Sequence, residues 1–219
     1  LCTFCWGMLV PGARACTSFL AGRNATIDGS TFITYAADSH TLYGALKFIP
    51  AARHPKNSTM EIREWDTNKL LGHIPQVEYT YKVVGNMNEH QLSITESTWG
   101  GRPELVDTTG IIDYGSLMYI ALQRAKTARE AITVMTDREA IKVMTDLVKK
   151  HGYYSSGESF SIADPEEVWI MEMIGKGPQN QGAVWVAVRI PDDCIAAHAN
   201  QSRIHKFPLD DKENCLYSP

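Results

Sequence analysis

Basic residues are in short supply. The 219-residue chain has 21 Lys plus Arg against 25 Asp plus Glu, a formal charge of −4. A nucleic-acid binder carries the opposite surplus, gathered on its contact face, so no nucleic-acid partner is expected. Long apolar runs are also missing. None approaches the roughly 18 residues that a membrane-spanning helix needs, which argues against stable membrane insertion. No low-complexity segment or linker divides the chain. Metal-ligand spacing is absent: there is no His-Glu-x-x-His, and the 7 histidines are scattered. Gly175-Lys176-Gly177 joins two apolar stretches instead of opening a helix, so it is not a phosphate cradle. Neither metal nor cofactor is expected. With 44% apolar and 21% charged residues, the composition is that of a folded globular protein.

What is present begins at the amino end. Residues 1–10 (LCTFCWGMLV) are apolar or small, and Pro11, Gly12 and Ala13-Arg14-Ala15 follow. An apolar stretch, a break and a small-x-small triplet are how a secretory leader ends. Residues 1–15 are therefore read as part of a leader or propeptide, residues 16–219 as the domain itself, and the protein as exported, periplasmic or extracellular. The alternative is a first strand packed in the core. Cleavage after Ala15 would make Cys16 the first residue. Cys2 and Cys5 then fall in the leader, where a redox role is not expected, and Cys16, Cys194 and Cys215 remain. An odd number leaves at least one thiol outside any intramolecular disulfide.

Residues 17–23 and 31–36 read as strands around the Asp28-Gly29 turn, and 77–84 and 91–97 as a second strand pair. Helical spacing starts near Asp113 with Leu117, Ile120, Ala121 and Arg124. Thr127 then caps a helical run to Lys150, stopped by His151-Gly152. Residues 168–174, 183–190 and 194–199 read as further strands. Strands, helices and strands again predict an α+β domain with helices packed on antiparallel sheet. Within the helical run, REAITVMTD (129–137) is followed by REAIKVMTD (138–146). Nine residues at about 100° each advance a helix about two and a half turns, so the second copy's apolar residues face away from the first's. Either the helix is buried on both sides, or the extra nine residues bulge out locally, or the copy is a recent duplication still poorly accommodated.

An N-terminal cysteine would supply a nucleophile and a base together. Its thiol has a reference pKa of about 8.5 and its α-amine about 7.7–8.0, so the amine can take the thiol proton directly or through water. Such a site also needs an oxyanion donor and a carboxylate to orient the ammonium. By position, Asp38 in Ala37-Asp38-Ser39-His40 and Asn200 in His198-Ala199-Asn200-Gln201-Ser202 are candidates, or ordinary turn and cap residues. Arg102, in Trp99-Gly100-Gly101-Arg102, is either a partner for a substrate carboxylate or an exposed loop residue.

The stretches CTSFLAGRNATIDGSTFITYAADSH, GNMNEHQLSITESTWGGRPELVD, DYGSLMYIALQRAKTAREA and ESFSIADPEEVWIMEMIGKGP closely resemble bacterial dipeptidases of the dipeptidase A type. These are cysteine peptidases of the N-terminal-nucleophile superfamily, related to secernin and to the bile salt and penicillin V amidases. The resemblance runs from Cys16 to about Ile204. It implies a four-layer αββα sandwich, here incomplete at the C-terminus, and metal-free hydrolysis of dipeptides, with 16–219 as the N-terminal part of the hydrolase domain. It further implies Cys16 as nucleophile, Asp38 as the aspartate holding the amine, and Asn200 as the oxyanion-hole asparagine. Asn88 would shape its turn, and Thr98 would line the substrate site.

The chain departs from the pattern at Tyr35, where many members of the superfamily carry arginine, so substrate or thiolate stabilisation falls to other groups. Two other readings stand beside the dipeptidase. One is an acylase of the same superfamily acting on a non-peptide amide. The other is a lipid-anchored, non-catalytic binding module with Cys16 acylated, against which Arg14 counts as a large cation in the attachment site. Homo-oligomer formation is left open.

Overall fold

The computed structural model describes residues 15–38, 44–132 and 143–219. Strand β1 (Ala15–Ala21) is followed by the short strands β2 (Phe32–Ile33), β3 (Ala36–Asp38), β4 (Phe48–Ile49) and β5 (Ala52–Arg53). Next come β6 (Thr59–Arg63) and β7 (Leu70–Pro75), then β8 (Tyr79–Thr80), β9 (Val83–Val84), β10 (Met87–Asn88) and the longer β11 (Ser93–Gly100). Helices α1 (Tyr114–Arg124), α2 (Ala128–Ile132) and α3 (Met144–His151) precede β12 (Gly157–Ala163), β13 (Val168–Gly175), β14 (Ala183–Arg189), β15 (Ile195–His198) and β16 (Cys215–Tyr217).

The fold is α+β, as the order of elements predicts. The main sheet is antiparallel and eight-stranded, in the order β16-β14-β13-β12-β11-β10-β9-β4. A smaller sheet is built on β1, which pairs with β15, β2 and β3. Strand alternation separates the two faces of the main sheet. On β13, Trp169, Met171 and Met173 point into the principal core with α1, α2 and α3. Val168 and Ile170 point the other way, into a second core with Leu20, Ile33 and Ala196 of the smaller sheet. Helices, main sheet and small sheet thus form successive layers. On the outer face of the small sheet, Phe19, Phe32 and Ile195 are 55%, 47% and 76% exposed, an apolar face not covered by any described residue.

Strands β1 and β2 pair as expected, Leu20 opposite Ile33. The second expected pair is corrected: 83–84 pairs with 87–88, and only Met87 meets β11, at Ser93. The 77–84 run breaks at Tyr81-Lys82, between β8 and β9, and Gly85, with φ of 56°, turns the chain from β9 into β10. Strand β12 and the β6–β7 hairpin are not among the strands read from the sequence. In β12, Phe160 and Ile162 alternate with Ser159 and Ser161, all buried. In the hairpin only Ile62 and Ile74 are fully buried, so its pattern is mostly polar. The region around 129–146 is described at both ends, where Ile132 of α2 and Met144 of α3 are fully buried. The packing of the two copies concerns mainly residues 133–142, outside the described residues. Thr127 does cap: its Oγ1 accepts from the Glu130 N–H at 3.2 Å, and Glu130 Oε2 accepts from the Lys126 N–H at 2.7 Å.

The helix that borders the site is anchored by its cap. Asp113 accepts from the Ser116 N–H at 3.1 Å through Oδ1, and from the Trp65 N–H at 2.7 Å through Oδ2. Its side chain is fully buried. The ring of Trp65 stacks on Tyr119 of α1 at 5.0 Å, so one carboxylate fixes both the helix end and the loop after β6. Asp113→Ala should lower unfolding free energy by about 2 kcal/mol, because a cap and a buried backbone donor lose their acceptor together. Urea denaturation would show this as a lower midpoint at unchanged slope.

Candidate active site

Cys16 is the second residue of strand β1, paired with Ala37 of β3 across one edge. On the other edge Ser18 faces His198 of β15. Continuing that antiparallel register by two residues brings Asn200 opposite Cys16. The Cys16 N–H donates to Asn200 Oδ1 at 2.6 Å, and Asn200 Nδ2 donates to the Thr98 carbonyl at 2.7 Å. An amide nitrogen carries two hydrogens, and the Asn200 side chain also hydrogen-bonds the Cys16 thiol, pulling its pKa down. Residues 98, 16 and 200 are therefore joined by one carboxamide.

These residues border a cavity of about 550 Å³, within the usual range for small-molecule sites. Asp38 and Tyr35 line it from the β3 side, and Trp65, Trp99, Tyr114 and Tyr154 form aromatic walls. Carboxyl groups reach it from Asp38, Glu64, Asp66, Glu96 and Glu158, whereas none of the described lining residues is Lys, Arg or His. Of these carboxyls only Asp38 was singled out in the sequence, and two of the others are deeply buried. Glu96 and Glu158 are 4% and 1% exposed. They share the face of β11 and β12 that carries Ile94, Phe160 and Ile162 into the core, as the register Ile94–Ile162, Glu96–Phe160 and Thr98–Glu158 requires. An acid in an inward position of an alternating strand is the signal that could have found Glu96.

Tyr35, which stands where arginine was noted as usual, donates to Glu96 Oε1 at 2.5 Å, and Thr98 Oγ1 donates to Glu158 Oε1 at 2.9 Å. Burial pushes both carboxyls up, and the charge of Glu96 pushes Glu158 further. Burial likewise raises the Tyr35 phenol. The Cys16 thiol is pushed up to about 11, first by burial, then by the charges of Glu96 and Glu158. With its peptide bond to Ala15 intact, this cysteine is a protonated thiol at neutral pH.

Of the residues selected from sequence, Cys16, Asp38, Thr98 and Asn200 meet at the cavity and Arg102 does not. Gly100 and Gly101, both at φ of 77°, turn the chain after Trp99, and the Arg102 Nε donates to Glu104 Oε1 at 2.8 Å on the exposed loop. His198 is buried with its Nε2 2.6 Å from Ser161 Oγ, and burial lowers its pKa. Cys16, Cys194 and Cys215 are all unbridged. Among the described residues, no group of three or more His, Cys, Asp or Glu is arranged to hold a metal ion.

The site is thus a thiol near the head of β1, joined by a carboxamide to β11 and bordering an acid-lined cavity on an α+β frame. The particular family follows from comparison with known proteins. Peptidase family C69 matches residues 15–60 and 48–219, and the chain belongs to that family. It is 30% identical over 223 residues to a probable dipeptidase of Latilactobacillus sakei, covering 93% of this chain and 43% of that protein. It is 27% identical to a probable dipeptidase of Salmonella dublin, with 94% and 47% covered. Dipeptidase A of Lactobacillus helveticus is 25% identical, with 91% and 43% covered. The chain thus spans less than half the length of these curated relatives.

The thiol's position makes a direct prediction. In the chain with residue 15 still attached, iodoacetamide labelling of Cys16 should rise about tenfold per pH unit from neutrality to about pH 10, because the thiolate is the reacting form. Peptide mapping by mass spectrometry would separate it from Cys194 and Cys215. A plateau near pH 8 would contradict the elevated thiol.

Proposed function

We propose that this chain is the nucleophile-bearing part of a cysteine dipeptidase of the N-terminal-nucleophile kind, made active by removal of residues 1–15. The observation that carries the reading is the Cys16 N–H held on Asn200 Oδ1 beside the acid-lined cavity. Names of relatives from lactic acid bacteria and Salmonella support the substrate class. The exposed apolar outer face of the small sheet supports a fourth, helical layer supplied by further chain. Leader removal also fits an exported protein.

Cleavage converts the Cys16 amide nitrogen into an α-amine, with Asn200 and Asp38 beside it. The amine takes the thiol proton, and the sulfur attacks the dipeptide carbonyl. One Asn200 N–H and a backbone N–H stabilise the oxyanion. As the tetrahedral intermediate collapses, the C–N bond breaks and the α-ammonium gives its proton to the leaving amine. Water, deprotonated by the same amine, then cleaves the thioester. The carboxyl-rich lining makes the new ammonium the nearest compensating charge for a thiolate. Thiol activation is therefore tied to processing.

The intact mass of protein exported by a bacterial host should begin at unmodified Cys16; retention of residues 1–15 or an added diacylglycerol would overturn the reading. In dipeptide hydrolysis, assayed beside a conjugated bile salt, Cys16→Ala should abolish turnover while Cys194→Ala, an exposed thiol outside the cavity, keeps most of it. Asp38→Asn should cost about tenfold or more in rate. Equal activity of wild type and Cys16→Ala would remove the mechanism.

A further inference from the structure

Glu96 and Glu158 are not used by the chemistry above, and their situation needs a reason. Thr98 faces Glu158 in the register of β11 and β12, so Glu96, two residues earlier on the same face, is the diagonal neighbour of Glu158. There the two carboxyls are in hydrogen-bonding contact. One oxygen of each takes a hydroxyl proton, Glu96 Oε1 from Tyr35 and Glu158 Oε1 from Thr98. The second oxygen of each, Oε2, is buried and meets no N–H or hydroxyl donor among the described residues. Ionised carboxylates only accept, so two of them cannot bond to one another, whereas a protonated carboxyl can donate. The titratable groups facing the pair are Tyr35 just before β3, Cys16 of β1, Asp66 in the loop after β6, Tyr114 of α1 and Tyr153 ahead of β12. All are acids, neutral or negative, and none of the described cavity-lining residues is Lys, Arg or His. Two like charges in contact, buried and without a cation, are avoided by keeping one proton.

We propose that Glu96 and Glu158 share a single proton, carried on Glu158 and donated to Glu96, and that they are positioning residues for the Cys16 thiol. The pair holds the charge beside the sulfur at one unit instead of two. It also braces Thr98, whose hydroxyl serves Glu158 and whose carbonyl takes the Asn200 amide that reaches Cys16. A shared proton gives both remaining oxygens a partner, which lets two acids pack on the core face of adjacent strands. Burial raises both carboxyls, and their mutual hydrogen bond then favours the charge on Glu96 and the proton on Glu158. Both act electrostatically on Cys16, so the number of charges on the pair sets part of the thiol's elevation. Loss of the shared proton would add a second charge against the thiolate, and the two titrations are coupled. The inference deepens the reading of Cys16 as nucleophile and rests on it only for its bearing on catalysis; the carboxyls and the thiol can be read by themselves.

Infrared spectroscopy of the full-length protein, its glutamates carrying a heavy-isotope carboxyl carbon, reads the proton directly and keeps aspartates out of the band. At about pH 8, far above the ordinary glutamate value of about 4.3, the equivalent of one protonated glutamate carboxyl should remain. Glu158→Gln should remove it. No protonated band, or a band of two carboxyls, overturns the shared proton, and the unsubstituted protein decides this even if a variant fails to fold. Iodoacetamide labelling of Cys16 at the same pH, with residue 15 attached, then counts the charge. Glutamine at 158 keeps a donor toward Glu96 and the single charge, so Glu158→Gln should change the labelling rate by less than about twofold. Adding Glu96→Gln removes that charge and should raise the rate at least about fivefold, because the thiolate fraction grows about tenfold per unit by which the thiol pKa falls. A fivefold gain already in Glu158→Gln would mean two charges, and no gain in the double variant would mean none beside the thiol; either overturns the proposal. A protonated band without dipeptide hydrolysis by the processed protein would leave the pair and remove the peptidase. Hydrolysis without the band would do the reverse.

Discussion

The Asn200 carboxamide is the joint on which the site depends. It reaches Cys16 across 184 residues of sequence and Thr98 across 102, and its two contacts lie on different sheets. Strand β1 belongs to the small sheet and β11 to the main one. Their separation at this end is therefore fixed by one side chain with a donor and an acceptor at set geometry. Aspartate would lose the donor to Thr98, and an apolar residue would leave the Cys16 N–H and the Thr98 carbonyl unpaired. The same side chain touches the thiol, so sheet packing and placement of the Cys16 thiol are one constraint.

The interior around that joint is unusually polar. Between the sheets lie Ser18, Thr95, Ser97, Ser159, Ser161 and His198, all buried. Small hydroxyl side chains let the sheets approach where larger apolar residues would hold them apart, but they contribute little hydrophobic stabilisation. The apolar work is done elsewhere. Leu20 packs with Val168 and Ile170 on one side of β13, and Trp169, Met171 and Met173 join the helices on the other. Stability sits in the helix-facing core, which leaves the opposite face and the cavity end of the sheet to be shaped by hydrogen bonding.

The class of fold is legible in the sequence, because strand alternation and the Asp113 and Thr127 caps are local signals. Asn88 was read as a turn-shaping residue, and its Oδ1 accepts from the His90 and Leu92 N–H groups. It does more than that. Its Nδ2 donates to the Leu122 and Ala125 carbonyls, closing the C-terminal end of α1, a contact 34 and 37 residues away that no spacing announces. Glu96 and Glu158 escaped for the same kind of reason. Glu96 looks like an ordinary strand acid and Glu158 lies in a strand not read from the sequence, until the antiparallel register puts both on the face of Ile94 and Phe160. Arg102 illustrates the reverse case. Its neighbourhood in sequence includes Trp99, a cavity residue, but two left-handed glycines carry it to the loop surface.

The electrostatics of the cavity bind these features together. An acid-lined pocket is a poor place for a thiolate, and burial with Glu96 and Glu158 nearby raises Cys16 to about 11. The function proposed for the site would supply the missing charge: removal of residues 1–15 would leave an ammonium on the Cys16 nitrogen, next to both the thiol and the carboxyl lining. That cation would offset the acids that oppose a thiolate, so activation of the thiol would follow directly from processing of the chain.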